Sequence, residues 1–209
     1  ASVATPKGDK LFAPSAASNM APLCELLEQV APAQGHALEI ASGTGQHVVG
    51  YATRLPGLTW QPTEVDAMRR ASIDAYAREA GLDNVLTART LDATSPGWGS
   101  QLDRQQDLIV LSNLLHLISK EEARILIAEA ATALAPDGRL VIYGPFMRGA
   151  KLTSDGDTAF HASLTAHDPE TGYKDNNETM GWLQDAGLGL VDTVEMPANN
   201  LALIAEKNV

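Results

Sequence analysis

The chain has 209 residues, roughly 1.4 times the ~150 of a typical domain, so one large domain with an elaboration fits better than two full ones. With 44% hydrophobic and 20% charged residues it falls among folded globular chains, which excludes the disordered and fibrous classes. Fifteen Lys and Arg against 26 Asp and Glu give a net charge of −11, the wrong sign for coating nucleic-acid phosphates, so no nucleic-acid partner is expected.

Residues 1–18, rich in Ala, Ser and Pro, predict an arm that is mobile or ordered only by docking, with the domain proper over 19–209. Leu23, Leu26, Leu27 and Val30 recur at helical spacing and predict an opening helix from Asn19, with Pro22 in its first turn and Pro32 beyond its end. Ala37 to Ala41 reads as a strand, followed by a glycine turn and a helix from Val48 to Leu55 that ends at Pro56-Gly57. The pattern then repeats. Leu58 to Gln61 is a second strand, Ala67 to Ala80 a helix stopped by Gly81, Val85 to Leu91 a third strand and Asp107 to Ser112 a fourth. Ser119 and Glu122 have capping-box spacing and open a helix that should reach Ala135. Pro136-Asp137-Gly138 turns the chain into a fifth strand, Leu140 to Tyr143. Residues 145–176 form an insertion with one helix around Phe160 and Leu164 and a polar loop, DPETGYKDNNE, long enough to face a substrate or act as a lid. A helix from Thr179 to Ala186 precedes two strands, Leu188 to Met196 and Leu201 to Glu206. Their link, Pro197 to Asn200, is too short for a crossover, so they are antiparallel. The expected fold is α/β: three-layer, doubly wound, with a mostly parallel seven-stranded sheet and a C-terminal antiparallel hairpin.

The stretch LEIASGTGQH, Leu38 to His47, is the most informative. An apolar strand ends in Ala41-Ser42-Gly43-Thr44-Gly45 and runs straight into a helix. Without side chains at Gly43 and Gly45 a ligand can lie against the backbone, and the N–H groups at the helix start can meet a carboxylate or phosphate. Dinucleotide folds place a third glycine where this chain has Val48, which argues against a pyrophosphate and hence against a nicotinamide-dependent oxidoreductase. Glu39 is placed to meet the ammonium of an amino-acid-bearing cofactor. Glu64, 19 residues after Gly45, can accept from both ribose hydroxyls. Asp92, with Ala93 beside it, follows the third strand, where its carboxylate can accept from an adenine amino group. Each acid also reads as a solvated loop residue, but three at successive strand ends match where open α/β sheets bind ligands.

These residues carry a resemblance. LEIASGTG is similar to the first motif of the class I S-adenosylmethionine (SAM)-dependent methyltransferases, with Ala41 where the first glycine usually stands, and the terminal hairpin resembles that fold's sixth and seventh strands. ASGTGQH, LTWQPTEVD, IYGPF and EMPANN more closely resemble the small methyltransferase-like protein 26 family, which has no assigned substrate. The resemblance implies SAM as cofactor and an acceptor site near the ends of the fourth and fifth strands, at Asn113, His116, Tyr143, Gly144 and Phe146; it supplies no substrate, and a small-molecule acceptor is expected, with a protein acceptor left open. Asn113 would orient the cofactor. His116 is the best candidate for a base, although Leu115 and Leu117 on either side also suit a hydrogen-bonded packing histidine. A non-catalytic SAM-binding module stays open, because no diagnostic catalytic motif is visible.

Other polar residues have plainer readings. His47 suits capping or packing, Cys24 a buried thiol, and Asn199 and Asn200 a turn. His161, His167 and Asp168 lack metal-ligand spacing, so no metal is expected. A lone cysteine, no signal-peptide core and no run of 18 apolar residues lead to the expectation of a cytoplasmic protein without membrane insertion.

Overall fold

Apolar runs and the turn residues between them set the secondary structure of residues 4–208, the part of the chain that the computed structural model describes, with side chains from Gly8 onward. The first three residues of the expected N-terminal arm lie outside the described residues. The chain divides into two units, one reaching Asp92 and adding Gln106–Val110, the other made of Ala93–Gln105 and the chain from Leu111.

In the first unit, β1 (Ala4–Lys7) and β2 (Lys10–Phe12) form an antiparallel hairpin, so the expected arm is ordered from residue 4. It is held by docking onto α2 (Gln46–Arg54) and α3 (Ala67–Glu79): Leu11 N–H donates to Ser72 Oγ at 2.8 Å, Tyr76 Oη to the Leu11 carbonyl at 2.8 Å, and Ala13 N–H to Gln46 Oε1 at 2.8 Å. Helix α1 (Pro14–Val30) starts five residues before the expected Asn19. Pro14 occupies the first turn, where a missing N–H costs nothing. Pro22 lies inside the helix instead, and burial of Leu23, Cys24, Leu26 and Leu27 offsets the roughly 3 kcal/mol such a proline costs. Strand β3 (Gly35–Ile40) pairs in parallel with β4 (Leu58–Pro62), in register from Gly35–Leu58 to Glu39–Pro62.

The expected third strand, Val85 to Leu91, does not form. Two isolated bridges, Trp60–Val85 and Thr63–Arg89, stand in its place. Trp60 N–H donates to the Asn84 carbonyl and Leu86 N–H to the Trp60 carbonyl, but the next donor in the ladder would be Pro62, which has none. Ala88 N–H turns to Asp74 Oδ1, Arg89 N–H takes the Pro62 carbonyl at 3.1 Å, and the Gln61 side-chain amide fills in on the Thr87 carbonyl. The register slips at Pro62, and the segment stays irregular.

The second unit begins with a 3₁₀ turn at Trp98–Ser100 and includes the end of β5 (Gln106–Ser112) and a second 3₁₀ turn at Leu115–Leu117. Helix α4 (Lys120–Ala133) opens on the expected capping box: Ser119 Oγ accepts from Glu122 N–H at 3.1 Å, and Glu122 Oε1 accepts from Ser119 N–H at 2.9 Å. Strand β6 (Leu134–Pro145) leads into the insertion with α5 (Asp155–His167), then α6 (Asn176–Asp185), which is capped by Asp175 and starts three residues ahead of the expected Thr179. Strands β7 (Leu188–Met196) and β8 (Asn200–Lys207) are antiparallel, as their short link requires, and Ala198 and Asn199 supply its left-handed turn. β8 is also antiparallel to β6, so it has neighbours on both sides and buries Leu201 through Ala205 without interruption, whereas β7 leaves Leu190 and Val191 exposed.

The strands hydrogen-bond in the order β4-β3-β5-β6-β8-β7, with β5 shared between the units. The fold is the expected α/β class, with a mixed sheet of six strands where seven were expected. Among the described residues no helix is long and apolar enough to cross a membrane.

Candidate cofactor and acceptor sites

The glycine loop is built where β3 stops. Ser42 N–H donates to the Thr63 carbonyl and Ser42 Oγ accepts from Thr63 N–H, so the loop is tied to the chain leaving β4. Ala41 sits at φ +54°, a left-handed conformation that costs a residue with a side chain roughly 1–2 kcal/mol. The two glycines have different reasons to be there. At Gly43, φ +60°, a Cβ would meet no atom within 4 Å, so this edge of the loop faces open space. At Gly45, φ +95°, a Cβ would stand 2.6 Å from the Ile73 Cα, so the missing side chain lets the loop pack against α3. Thr44 is buried between them. Its hydroxyl donates to Gln46 Oε1 and its carbonyl accepts from Ser72 Oγ at 2.6 Å, the same Gln46 and Ser72 that hold the N-terminal segment.

Two acids converge on this loop. Glu64 Oε1 accepts from Gly43 N–H at 3.2 Å and Glu64 Oε2 from Asp66 N–H at 2.9 Å, with the Arg69 guanidinium 3.9 Å away. Glu39 is 2% exposed, and its Oε1 has no hydrogen-bond partner among the described residues. Burial pushes its carboxyl pKa up to about 8, against the lowering effect of a Ser42 hydrogen bond and with a smaller contribution from the Glu64 charge. A buried carboxyl with one unpartnered oxygen, next to an open backbone cradle, suits a ligand carrying an ammonium group. Asp92 is exposed at the end of this unit's long segment. His47 Nε2 lies 2.7 Å from Asn19 Oδ1 and its ring stacks on Tyr51; burial lowers its pKa to about 4, the packing role read from sequence.

Ala93, Asn113 and His116 belong to the second unit. The Ala93 carbonyl accepts from Trp98 Nε1 at 3.0 Å. Asn113, at φ +56°, donates its backbone N–H to the Tyr143 carbonyl at the end of β6. His116 is 6% exposed in the Leu115–Leu117 turn, and its Nδ1 has no partner among the described residues. Its ring meets Phe160 edge-on at 5.6 Å and Tyr173 at 6.2 Å. Burial, helped by the nearby Lys174 charge, lowers its pKa to about 4, so the imidazole is neutral at pH 7. Phe160 and Leu117, 45% and 40% exposed, leave apolar surface beside it.

Sequence reasoning placed Phe160 on a helix and Tyr173 and Lys174 in a polar loop, without linking them to a histidine more than 40 residues away. The signal available was a lysine beside a tyrosine and a glycine inside the insertion. His161 is occupied structurally, its Nδ1 accepting from Tyr173 N–H at 3.0 Å.

Comparison with known proteins shows the same architecture. The model of the family described as "Protein of unknown function (DUF938)" matches residues 10–207. Among solved structures, an O-methyltransferase family protein from Burkholderia thailandensis superposes with a TM-score of 0.78 at 18% identity, covering 92% of this chain and 57% of that one. An O-methyltransferase family 2 protein from Planctomyces limnophilus, in complex with apigenin, gives 0.76 at 20% identity and coverages of 92% and 60%. Human N-acetylserotonin methyltransferase in complex with SAM gives 0.74 at 12% identity and coverages of 93% and 53%. At these identities the likeness establishes the methyltransferase fold, and the chain spans little more than half the length of each protein.

Proposed function

The chain belongs to the DUF938 family, and on that premise we propose that it is a SAM-dependent methyltransferase acting on a small molecule. The observation that carries this reading is the loop after β3: an open backbone edge at Gly43 with the unpartnered Glu39 oxygen and the Glu64 carboxylate beside it. These residues fit the cofactor. Gly43 and Thr44 would offer backbone to its amino-acid portion, Glu39 would meet its ammonium, Glu64 would accept from the ribose hydroxyls and Asp92 from the adenine amino group. Bound there, SAM supplies an electrophilic methyl group. Ala41, Ser42 and Gly45 fix the loop's shape rather than reach outward.

On the acceptor side, His116 takes the proton of an oxygen or nitrogen acceptor, and the neighbouring aromatic rings keep water away from it. Its buried, neutral imidazole and the exposed faces of Phe160 and Leu117 favour an uncharged, partly apolar small molecule. The ASGTGQH, IYGPF and EMPANN segments support the finer likeness to the methyltransferase-like protein 26 family. The low basicity of His116 also favours a second reading, a module that binds SAM without turnover. Labelled-methyl transfer from SAM across metabolite pools separates the two: a product that disappears with His116→Ala supports the enzyme, and SAM binding without any labelled product supports the module.

A further inference from the structure

Lys174 is the only lysine or arginine buried among the described residues, at 2% exposure. Its Nζ donates to the Ile118 carbonyl at 2.5 Å and to the Gly172 carbonyl at 2.7 Å, and no carboxylate lies within 4 Å of it among the described residues. Burying an ammonium with only carbonyl partners is costly, and a residue whose sole task was to join loops could do so with a neutral side chain. The bonds around it converge on one place. Gly172 N–H donates to the His116 carbonyl at 3.0 Å, Ile118 directly follows the turn that carries His116, and the Lys174 carbonyl accepts from Met147 N–H just past β6. Tyr173, between the two clamping residues, packs edge-on against His116, Phe160 and His161 and donates its hydroxyl to Asp157 Oδ1 at 2.7 Å. Helix α5 has no buried residue of its own; these ring contacts, the Asp157 bonds and the bonds from Tyr173 N–H to His161 Nδ1 and from Thr171 Oγ1 to the Leu164 carbonyl seat it beside His116.

We propose that Lys174 is a positioning residue for His116: its buried ammonium locks residues 172–174 across the Leu115–Leu117 turn and so seats α5 over the imidazole, with its positive charge on the same side. The role follows from where the charge stands. A cation beside His116 disfavours a second cation on the ring, and the carbonyl bonds stop the turn from swinging the ring into water. The charged groups that face the ammonium are Lys120 and Glu122 in the first turn of α4 and Glu178 of α6, whose opposing signs leave the Lys174 pKa, lowered chiefly by burial, at about 8, so that it is charged at neutral pH. Around His116 the facing titratable side chains are Lys174, Tyr173 and, behind Tyr173, His161 and Asp157.

The catalytic consequence rests on the reading of His116 as the acceptor-side base, but the test needs neither cofactor nor acceptor. NMR titration of the His116 ring and hydrogen exchange of the Gly172 amide are measured in wild type, Lys174→Met and Lys174→Arg. Lys174→Met is expected to raise the His116 pKa by at least one unit and speed Gly172 exchange at least tenfold, and Lys174→Arg to bring both back toward wild type. An unchanged His116 titration in Lys174→Met would overturn the proposal. Should Lys174→Met fail to fold, Lys174→Gln, which keeps amide donors without the charge, is expected to raise the His116 pKa and to speed Gly172 exchange over wild type; an unchanged titration there overturns the proposal equally. If these readouts behave as expected while no methyl transfer is ever found, the positioning role stands and the enzymatic reading alone fails.

Discussion

Replacing each of the two loop glycines by alanine should separate folding from binding. In Gly45→Ala the new Cβ would stand 2.6 Å from the Ile73 Cα and 3.2 Å from the Ile73 Cβ, at φ +95°. Ile73 is fully buried, and the nearest clash is with helix backbone, which cannot swing aside as a flexible side chain would. Overpacking of this kind costs ~1–3 kcal/mol. A left-handed backbone adds roughly 1–2 kcal/mol. The two effects together give about 2–5 kcal/mol. In Gly43→Ala only the backbone cost applies, because no atom lies within 4 Å of the added carbon. At ~2–4 °C per kcal/mol for a chain of this size, Gly45→Ala should unfold roughly 4–20 °C below wild type and Gly43→Ala about 2–8 °C below. Urea and thermal unfolding followed by circular dichroism at pH 7 read both. The second half of the prediction is reversed: Gly43→Ala, folded, should bind SAM more weakly because its methyl occupies the cradle. A Gly43→Ala loss of stability equal to or larger than that of Gly45→Ala would refute the division of labour between the two glycines.

Three further outcomes follow from the site. Glu64→Ala removes an ionised acceptor worth ~1.5–3 kcal/mol per hydrogen bond, so SAM affinity measured by calorimetry should fall at least tenfold. Asp66 caps α3 through one oxygen, accepting from Arg69 N–H, so undiminished affinity would move the ribose from Glu64 to Asp66. Glu39, with its pKa raised from 4.5 to about 8, binds a proton in the folded state that the unfolded chain has released, so it lowers stability progressively as pH rises from about 4.5 to 8. Glu39→Gln should abolish that part of the pH dependence and stabilise the protein most at pH 8 and above; parallel stability–pH curves for the two proteins would contradict it. For His116, a pKa of about 4 puts the acid limb of any turnover profile near pH 4 rather than 6.5, and His116→Ala should lose turnover while keeping SAM affinity. An acid limb at 6.5 would show that another group is the base.

Features governed by neighbours in sequence were legible. Ser119 and Glu122 announce a helix start, Gly81 and Gly187 stop helices, and the four-residue link at Pro197–Asn200 dictates an antiparallel hairpin. The loop from Leu38 to His47 was legible for the same reason, since a strand, small residues and a helix follow one another directly. Features set by distant partners were not. Pro62 reads as the harmless end of a strand, and only its place opposite residues 84–89 shows that it removes the donor a further strand needed. Pro22 reads as a helix start until burial of Leu23 and Leu26 shows that the helix runs through it. Gly43 and Gly45 look alike in sequence, and the approach of Ile73 tells them apart. His116 was a candidate by residue type alone, while Phe160, Tyr173 and Lys174 are brought around it only through the path of the insertion.

Calorimetric titration of SAM into the wild-type chain and into Gly43→Arg tests the central claim most directly. Wild type should bind SAM saturably and one-to-one, and Gly43→Arg, checked to be folded by circular dichroism, should not bind it, because the new side chain fills the open edge of the loop. Equal affinity for the two proteins, or no binding to wild type, would contradict that claim.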